Sequence, residues 1–488
     1  MNPVAISVSS SSVRASDTRR HNSCWRRTRS VGGLVPQRGT PDDSLTRGVP
    51  RAGKRRVTLT RFRGTLAPQA RKGPEMPVGQ SQVIVGASAA GVSAALGMRE
   101  AGYGGDIVLI DADPNLPYER PPLSKSLAGG SPAGLRPIVP AASYAGNHID
   151  LRLGVAVTAL DPANRRVELA DGSSLNPDHV ILATGLAARR LDVPGAALRN
   201  VMTLRDAADS ASLTARLALG APLVIVGAGF IGLELAAVAA TAGIDVTVIE
   251  IASAPLGPVL GSEVGHLVEK LHRERGVRFI LGGTVAGFLG RDEVESVLLD
   301  DERRVSASTV VVGVGTIARD QLALRAGIVG DRGIRVDEHG LTNDPWVSAA
   351  GDIASQPHPW LDAPSRIEHW DVAMRHGRAV GMSAVGAPTT SDAVPYAWSD
   401  QYDLTLQMFG RPSRKDAMVV QSGARPDRFL AFWQREGQLR AVAGMNASRD
   451  VRAAKTLIER RLAVPAEVLA DAGTDLRTLA RKLASTVR

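Results

Sequence analysis

Apolar runs that stop on glycine recur along the chain, and each predicts a buried strand turning sharply into the next element. Val83–Val85 end on Gly86, and the Ala-rich stretch that follows is a good helix former. A strand over Ile107–Ile110 ends on Asp111. Residues 151–182 alternate apolar and polar, with turn signals at Asp161-Pro162 and Asp171-Gly172, and read as hairpin strands. They lead into the buried run Val180–Gly185. The same grammar returns at Leu223–Glu250, at Thr309–Val312 before Gly313 and Gly315, and at Trp346–Asp352. A helix is expected from near Ile367, beneath Asp352. After Val394 the pattern changes: alternating segments at Met418–Gln421, Phe429–Gln434 and Leu439–Ala443, then helices from Ser448, predict a three-stranded antiparallel sheet in a small α+β domain. No apolar run approaches the roughly 20 residues that span a bilayer, so no membrane partner and a cytoplasmic location are expected.

Two of these turns carry chemistry. Gly86, Ser88 and Gly91 occupy the three small-residue positions of a dinucleotide fingerprint. The first allows the tight turn, the second lets backbone approach a pyrophosphate, and the third lets helix pack on strand. Ser88 stands where glycine is usual, and its side chain crowds the phosphate approach. Gly227, Gly229 and Gly232 match the pattern fully. Asp111 and Glu250, at the ends of the following strands, are the acids that grip a ribose hydroxyl. Glu250 would repel a 2′-phosphate, and no Arg or Lys follows it before Lys270, so NADH is expected over NADPH. Glu234 is expected in the first turn of the second fingerprint helix, where an acid also suits the helix dipole. The loop Pro117–Lys125 reads either as a surface loop or as a rigid wall against a flat cofactor, with Arg120 and Lys125 as fixed charges. Gly315 opens space at a strand end for a ligand, and Asp352 follows a buried strand and Gly351 as a ligand contact would. Trp398 and Tyr402 are either core aromatics or cofactor-facing.

Charge and cysteine content narrow the chemistry. Of the 488 residues, the first 75 hold 16 Lys and Arg against 4 Asp and Glu, and the rest hold 42 against 45. The net charge of +9 therefore belongs to an Arg- and Ser-rich extension, and the body gives no sign of a nucleic-acid partner. Residues 1–75 lack a sustained period and are expected to be disordered. They read as sequence upstream of a true start at Met76, as a transit peptide, or as a basic tail. The only cysteine, Cys24, lies there, so the body has no disulfide, thiolate metal site or redox-active thiol pair. Two dinucleotide turns in tandem imply a flavin face to face with a nicotinamide. Without a thiol beside the flavin, electrons leave to a carrier protein or to oxygen.

The motifs VGASAAG, PYERPPLSK, LATG, VGAGFIGLE, VGVG, AAGD and WSDQYDLTLQ appear in that order between residues 81 and 443. In this the chain resembles the ferredoxin reductases of cytochrome P450 and ring-hydroxylating dioxygenase systems, a branch of the FAD/NAD-linked reductases. The resemblance implies an α/β fold with two Rossmann-like domains, for FAD and NAD, plus a C-terminal α+β domain. The expected divisions are an FAD part at 76–190, an NAD domain at 191–317, a second FAD part at 318–393 and the C-terminal domain at 394–488. It implies that Gly86, Ser88 and Gly91 hold the FAD pyrophosphate, Asp111 the adenosine ribose, and Asp352 the ribityl or pyrophosphate region. It also implies that Arg120, Lys125 and Arg189 touch FAD, that Lys125 pairs with Glu234, and that Trp398 lies near the isoalloxazine. The partner would be a ferredoxin or rubredoxin, and the protein a monomer or homodimer. Arg411, Arg414 and Lys415 read either as a basic patch that steers an acidic partner or as a solvated charged turn. Ala254, Ala318, Arg319 and His369 depart from the family pattern without removing a group that hydride transfer needs. Competing readings are an NADH oxidase and a redox-sensing protein resembling apoptosis-inducing factor.

Overall fold

A computed structural model describes residues 81–127, 134–422 and 427–486, all within one compact unit. The expectations for residues 1–75 and the Met76 start lie outside the described residues. Two five-stranded parallel sheets form the body. In the first, the order is Val347–Ala349, His179–Leu182, Ser81–Val85, Asp106–Asp111, Ile149–Leu153. In the second it is Arg278–Leu281, Val246–Glu250, Leu223–Val226, Thr309–Val312, Val201–Met202. The central strands are Val- and Ile-rich and buried on both faces, as parallel strands covered by helices must be. Strand Val347–Ala349 completes the first sheet from beyond the second, so the chain leaves the first unit and returns to it.

The two fingerprints fold alike. Gly86 (φ +106°) and Gly227 (φ +103°) adopt backbone conformations that side chains rarely tolerate. A Cβ at either would stand 2.4 Å from a carbonyl oxygen, of Ala183 and of Gly313 respectively. Each turn opens a 12-residue helix, Ala89–Glu100 and Phe230–Thr241.

Four expectations need correction. The C-terminal sheet has five strands, in the order Tyr396–Gln401, Leu404–Gly410, Gln438–Met445, Phe429–Arg435, Ala417–Ser422. The first two form a hairpin whose turn places Tyr402 at φ +59°, with no glycine or Asn-Gly to announce it. Residues 149–153 join the first parallel sheet, and only Val157–Asp161, Arg166–Leu169 and Ser174–Leu175 form the antiparallel hairpins. Helix Phe230–Thr241 begins early enough to put Glu234 in its second turn, buried at 4% exposure, so its partners are side chains and the dipole role lapses. The helix expected from Ile367 begins at Trp370.

Helix Trp370–Ala384 crosses the first fingerprint helix at unusually close range. A Cβ at Gly377 or Gly381 would meet the backbone carbonyl of Ala90 or Ala94 at 2.2 Å. Gly381→Ala should therefore force the helices apart and lower stability by about 1–3 kcal/mol, outweighing the gain in helix propensity. Thermal unfolding checks this, and an unchanged or raised midpoint would contradict it.

Candidate functional site

A cleft of about 420 Å³ opens at the carboxyl ends of the first sheet. It gathers Gly86, Ser88, Asp111, Arg120, Lys125, Glu234, Asp352 and Trp398 along one wall-to-wall surface. Ser88 is the N-cap of helix Ala89–Glu100 but makes no side-chain capping bond, so the first N–H groups of that helix stay free for an anion. Its Oγ instead accepts from Arg120 Nε at 3.2 Å. Gly91 lies beneath, where a Cβ would strike the Gly86 carbonyl at 1.8 Å.

Each strand-end acid is pinned against its own glycine turn. Asp111 accepts from the backbone N–H of Ala87 at 2.5 Å and of Asp113 at 2.9 Å. Glu250 accepts from Ala228 at 2.6 Å and Ala252 at 2.8 Å. A carboxylate has room for further donors, so both remain competent to accept from a ribose hydroxyl. At the second turn a Cβ on Gly229 would stand in open space, which leaves the backbone approachable, while a Cβ on Gly232 would strike the Gly227 carbonyl at 2.2 Å. These second-turn groups lie outside the cleft's lining, as do Arg189 and Gly315. Arg189 is exposed: its backbone N–H donates to the Gly315 carbonyl at 3.0 Å, and its guanidinium donates to the Thr316 carbonyl at 3.2 Å.

Arg205 supplies charge in the cleft that sequence reading missed. It lies in a short polar connection, TLRD, with no periodicity or motif to mark it. Its Nε donates to the Leu186 carbonyl at 3.0 Å, and its Nη2 lies 3.9 Å from Asp352 Oδ2. Arg120 Nη1 donates to the Arg205 backbone carbonyl at 2.8 Å, and both arginines line the cleft. Burial, and then Arg120, pull the Arg205 pKa down to about 10. Burial pushes the Asp352 carboxyl up to about 6, against the pull of Arg205. Asp352 Oδ1 is buried without a hydrogen-bond partner, and so is Nδ1 of His369, which also lines the cleft and is held neutral by burial, its pKa near 4. Orphaned polar atoms facing a cleft are the mark of a polar occupant.

The opposite wall is organised by Glu234. Its Oε1 accepts from Lys125 Nζ at 2.6 Å and from Ser399 Oγ at 2.8 Å, and its Oε2 accepts from Ser124 Oγ. The expected Lys125–Glu234 contact is thus present. Asp400 Oδ2 stands 3.8 Å from the same ammonium. Three separated stretches meet here: the 3₁₀ segment Pro121–Ser124 with Lys125, the second fingerprint helix, and the first strand of the C-terminal sheet. Trp398 lines the cleft with its ring stacked on Tyr396 at 5.8 Å between centroids. Tyr402 points away, its hydroxyl 3.0 Å from His272 Nδ1.

The pyridine nucleotide-disulphide oxidoreductase family matches residues 80–377, and a reductase C-terminal family matches 396–480. The chain belongs to the pyridine nucleotide-disulphide oxidoreductase family. It is 38% identical over 399 residues to the ferredoxin reductase component of a chlorobenzene dioxygenase from Cupriavidus sp. (strain PS12), covering 82% of this chain and 97% of that protein. It is 37% identical over 403 residues to rhodocoxin reductase from Rhodococcus erythropolis, covering 81% and 93%. The crystal structure of a covalent putidaredoxin reductase–putidaredoxin complex matches with a TM-score of 0.79 at 34% identity, covering 83% of this chain and 99% of that one.

The oxidoreductase family implies FAD and a pyridine nucleotide, and the residues present fit both. The Gly86 turn leaves no room for a Cβ, Arg120 and Arg205 both line the cleft, and the buried Oδ1 of Asp352 and Nδ1 of His369 lack partners. Among the described residues no helix is long and apolar enough to cross a membrane, and no cluster of His, Cys, Asp and Glu could hold a metal.

The raised pKa of Asp352 gives a signed prediction. The carboxyl binds its proton more readily folded than unfolded, so its contribution is full below about 4 and is lost as pH rises through about 6. Flavin-free Asp352→Asn protein should lack this step, and its stability should fall less than the parent's between pH 4 and pH 6. Guanidinium unfolding at both pH values checks this, and parallel pH dependences would contradict it.

Proposed function

We propose that the protein is an FAD-dependent NADH:ferredoxin reductase, passing electrons from NADH through bound FAD to a ferredoxin or rubredoxin that serves an oxygenase. The observation that carries this reading is a cleft flanked by two nucleotide turns in a body with no thiol, since the one cysteine is Cys24. Bound FAD would supply the conversion of a two-electron donor into single electrons. In this reading residues 76–190 and 318–393 hold FAD, 191–317 hold NADH, and 394–488 cover the flavin.

The chain's own groups divide the work. Gly86, Ser88, Gly91, Arg120 and Arg205 bind the flavin's pyrophosphate, and Asp111 its ribose. Asp352 accepts from the chain joining ring to phosphate. Lys125, fixed by Glu234, presents an ammonium to the ring, and Trp398 closes water out. Arg189 and Gly315 border the entry. Gly227, Gly229 and Gly232 receive the NADH pyrophosphate, and Glu250 its ribose. Two backbone donors fix the Glu250 carboxylate, whose charge repels a 2′-phosphate. The next residue, Ile251, is an exposed aliphatic at 71% that offers such a phosphate no cation, which favours NADH over NADPH.

The docking face is the recess of about 820 Å³ that shares Glu368 with the cleft. Arg332, Arg335, Arg366 and Arg411 line it together with Asp331, Asp337 and Glu368. Arg366 pairs with Glu368 at 2.8 Å and Arg332 stands 3.8 Å from Asp331, so the positive charge that an acidic carrier protein would meet rests on Arg335 and Arg411. Of the three candidate steering cations, Arg411 lines this recess and Arg414 is exposed. Lys415 stands 3.9 Å from Asp362, which also takes Arg435 at 2.7 Å, so its charge is partly offset.

NADH-driven reduction of cytochrome c, with and without added ferredoxin, tests the function. Ferredoxin should raise the rate at least about tenfold, and Arg411→Glu should lower the stimulated rate more at low salt than at high salt. A rate indifferent to ferredoxin and matched by oxygen consumption would transfer the reading to an NADH oxidase.

A further inference from the structure

Glu234 is braced from a second side by a line of buried side chains that the proposed electron path does not use. Ser399, Gln401 and His272 are each 0% exposed. Ser399 and Gln401 stand two apart on strand Tyr396–Gln401 and share its inner face, while His272 lies in the last turn of helix Ser262–Arg273. Ser399 Oγ is 2.8 Å from Glu234 Oε1, and Gln401 Nε2 is 3.2 Å from Ser399 Oγ. Gln401 Oε1 is 2.9 Å from His272 Nε2, and Tyr402 Oη is 3.0 Å from His272 Nδ1.

Counting protons fixes the direction of this line. An ionised carboxylate only accepts, so the single Ser399 O–H donates to Glu234. Ser399 must then accept from the Gln401 amide N–H, which turns the Gln401 carbonyl toward His272. The imidazole therefore carries its proton on Nε2 and accepts the Tyr402 O–H at Nδ1. Burial holds His272 neutral, as this pattern requires. At the outer end the Arg275 guanidinium covers the Tyr402 ring at 4.7 Å. An amide passes on orientation but neither gains nor loses a proton near neutral pH, so the line is a brace and no proton path.

We propose that Ser399, Gln401 and His272 are positioning residues that hold the Glu234 carboxylate in the orientation fixing Lys125 at the cleft, and so couple helix Ser262–Arg273 to the flavin site. This rests on the reading of Lys125 and Glu234 given above. With the Ser399 hydroxyl gone, Gln401 Nε2 loses its acceptor and Glu234 loses a donor, leaving the carboxylate free to turn toward Ser124.

Rapid-mixing measurement of flavin bleaching by NADH tests the proposal, with flavin content and thermal midpoint measured for every variant. Ser399→Ala and His272→Phe should slow bleaching about tenfold, while Ser399→Thr, which keeps the hydroxyl, should recover most of the rate. In a Glu234→Gln background Ser399→Ala should add no further slowing, because the brace acts through that carboxylate. NMR of selectively labelled histidine, with or without flavin, should show His272 as the Nε2–H tautomer. Equal slowing in both backgrounds, or an Nδ1–H tautomer, would overturn the proposal. Should His272→Phe fail to fold, the Ser399 variants and the tautomer decide. Should Lys125→Ala and Glu234→Gln bleach at the parent rate, the reading of the pair falls, and the tautomer still judges the brace.

Discussion

A carboxylate buried to 4% exposure is costly, and Glu234 is tolerable only because three donors converge on it. None of those donors is its neighbour in sequence. Lys125 and Ser124 arrive from the proline-stiffened loop and Ser399 from the C-terminal sheet, so satisfying one charge obliges three distant stretches to meet. That meeting point is also a wall of the cleft. The condition that makes the charge bearable thus places an ammonium and an indole ring around the same space, with a second carboxylate, Asp400, 3.8 Å from that ammonium.

The two fingerprints show how far local geometry goes and where it stops. Both combine a positive-φ glycine, a helix start without a side-chain cap, and an acid tied back to the turn. Their difference lies in what surrounds them. The first is overlaid by Arg120 and Arg205, whose mutual repulsion and burial favour an anionic occupant, and is completed by Asp352 from the returning strand. The second has Glu250 beside an exposed isoleucine. Turns of the same backbone shape therefore present different fields, as two different nucleotides require.

Much of this was legible in the residues. Strands ending on glycine announce themselves, because an apolar run and a forced turn are both local, and so the two parallel sheets and the strand-end acids were readable. The Lys125–Glu234 contact spans 109 positions and became legible only through resemblance to a family. Arg205 was invisible because a lone arginine in a polar connection has no local signature. The hairpin through Tyr402 escaped notice because its left-handed residue is a tyrosine, held by its hydroxyl on His272 in place of the usual glycine. His272 itself looks like any polar residue on a helix until the strand bearing Gln401 is laid against it.

The most direct measurement of the central claim is a double-mutant cycle on stability, using guanidinium unfolding of Lys125→Met, Glu234→Gln and the combined variant. Lys125→Met should cost about 3 kcal/mol, because it strands the buried Glu234 carboxylate, and Glu234→Gln less, because Lys125 is partly exposed. The double variant should be more stable than the sum of the two by about 1 kcal/mol or more. Costs that add to within about 0.5 kcal/mol would show that the two side chains do not depend on each other, and the account of the cleft built on them would fail.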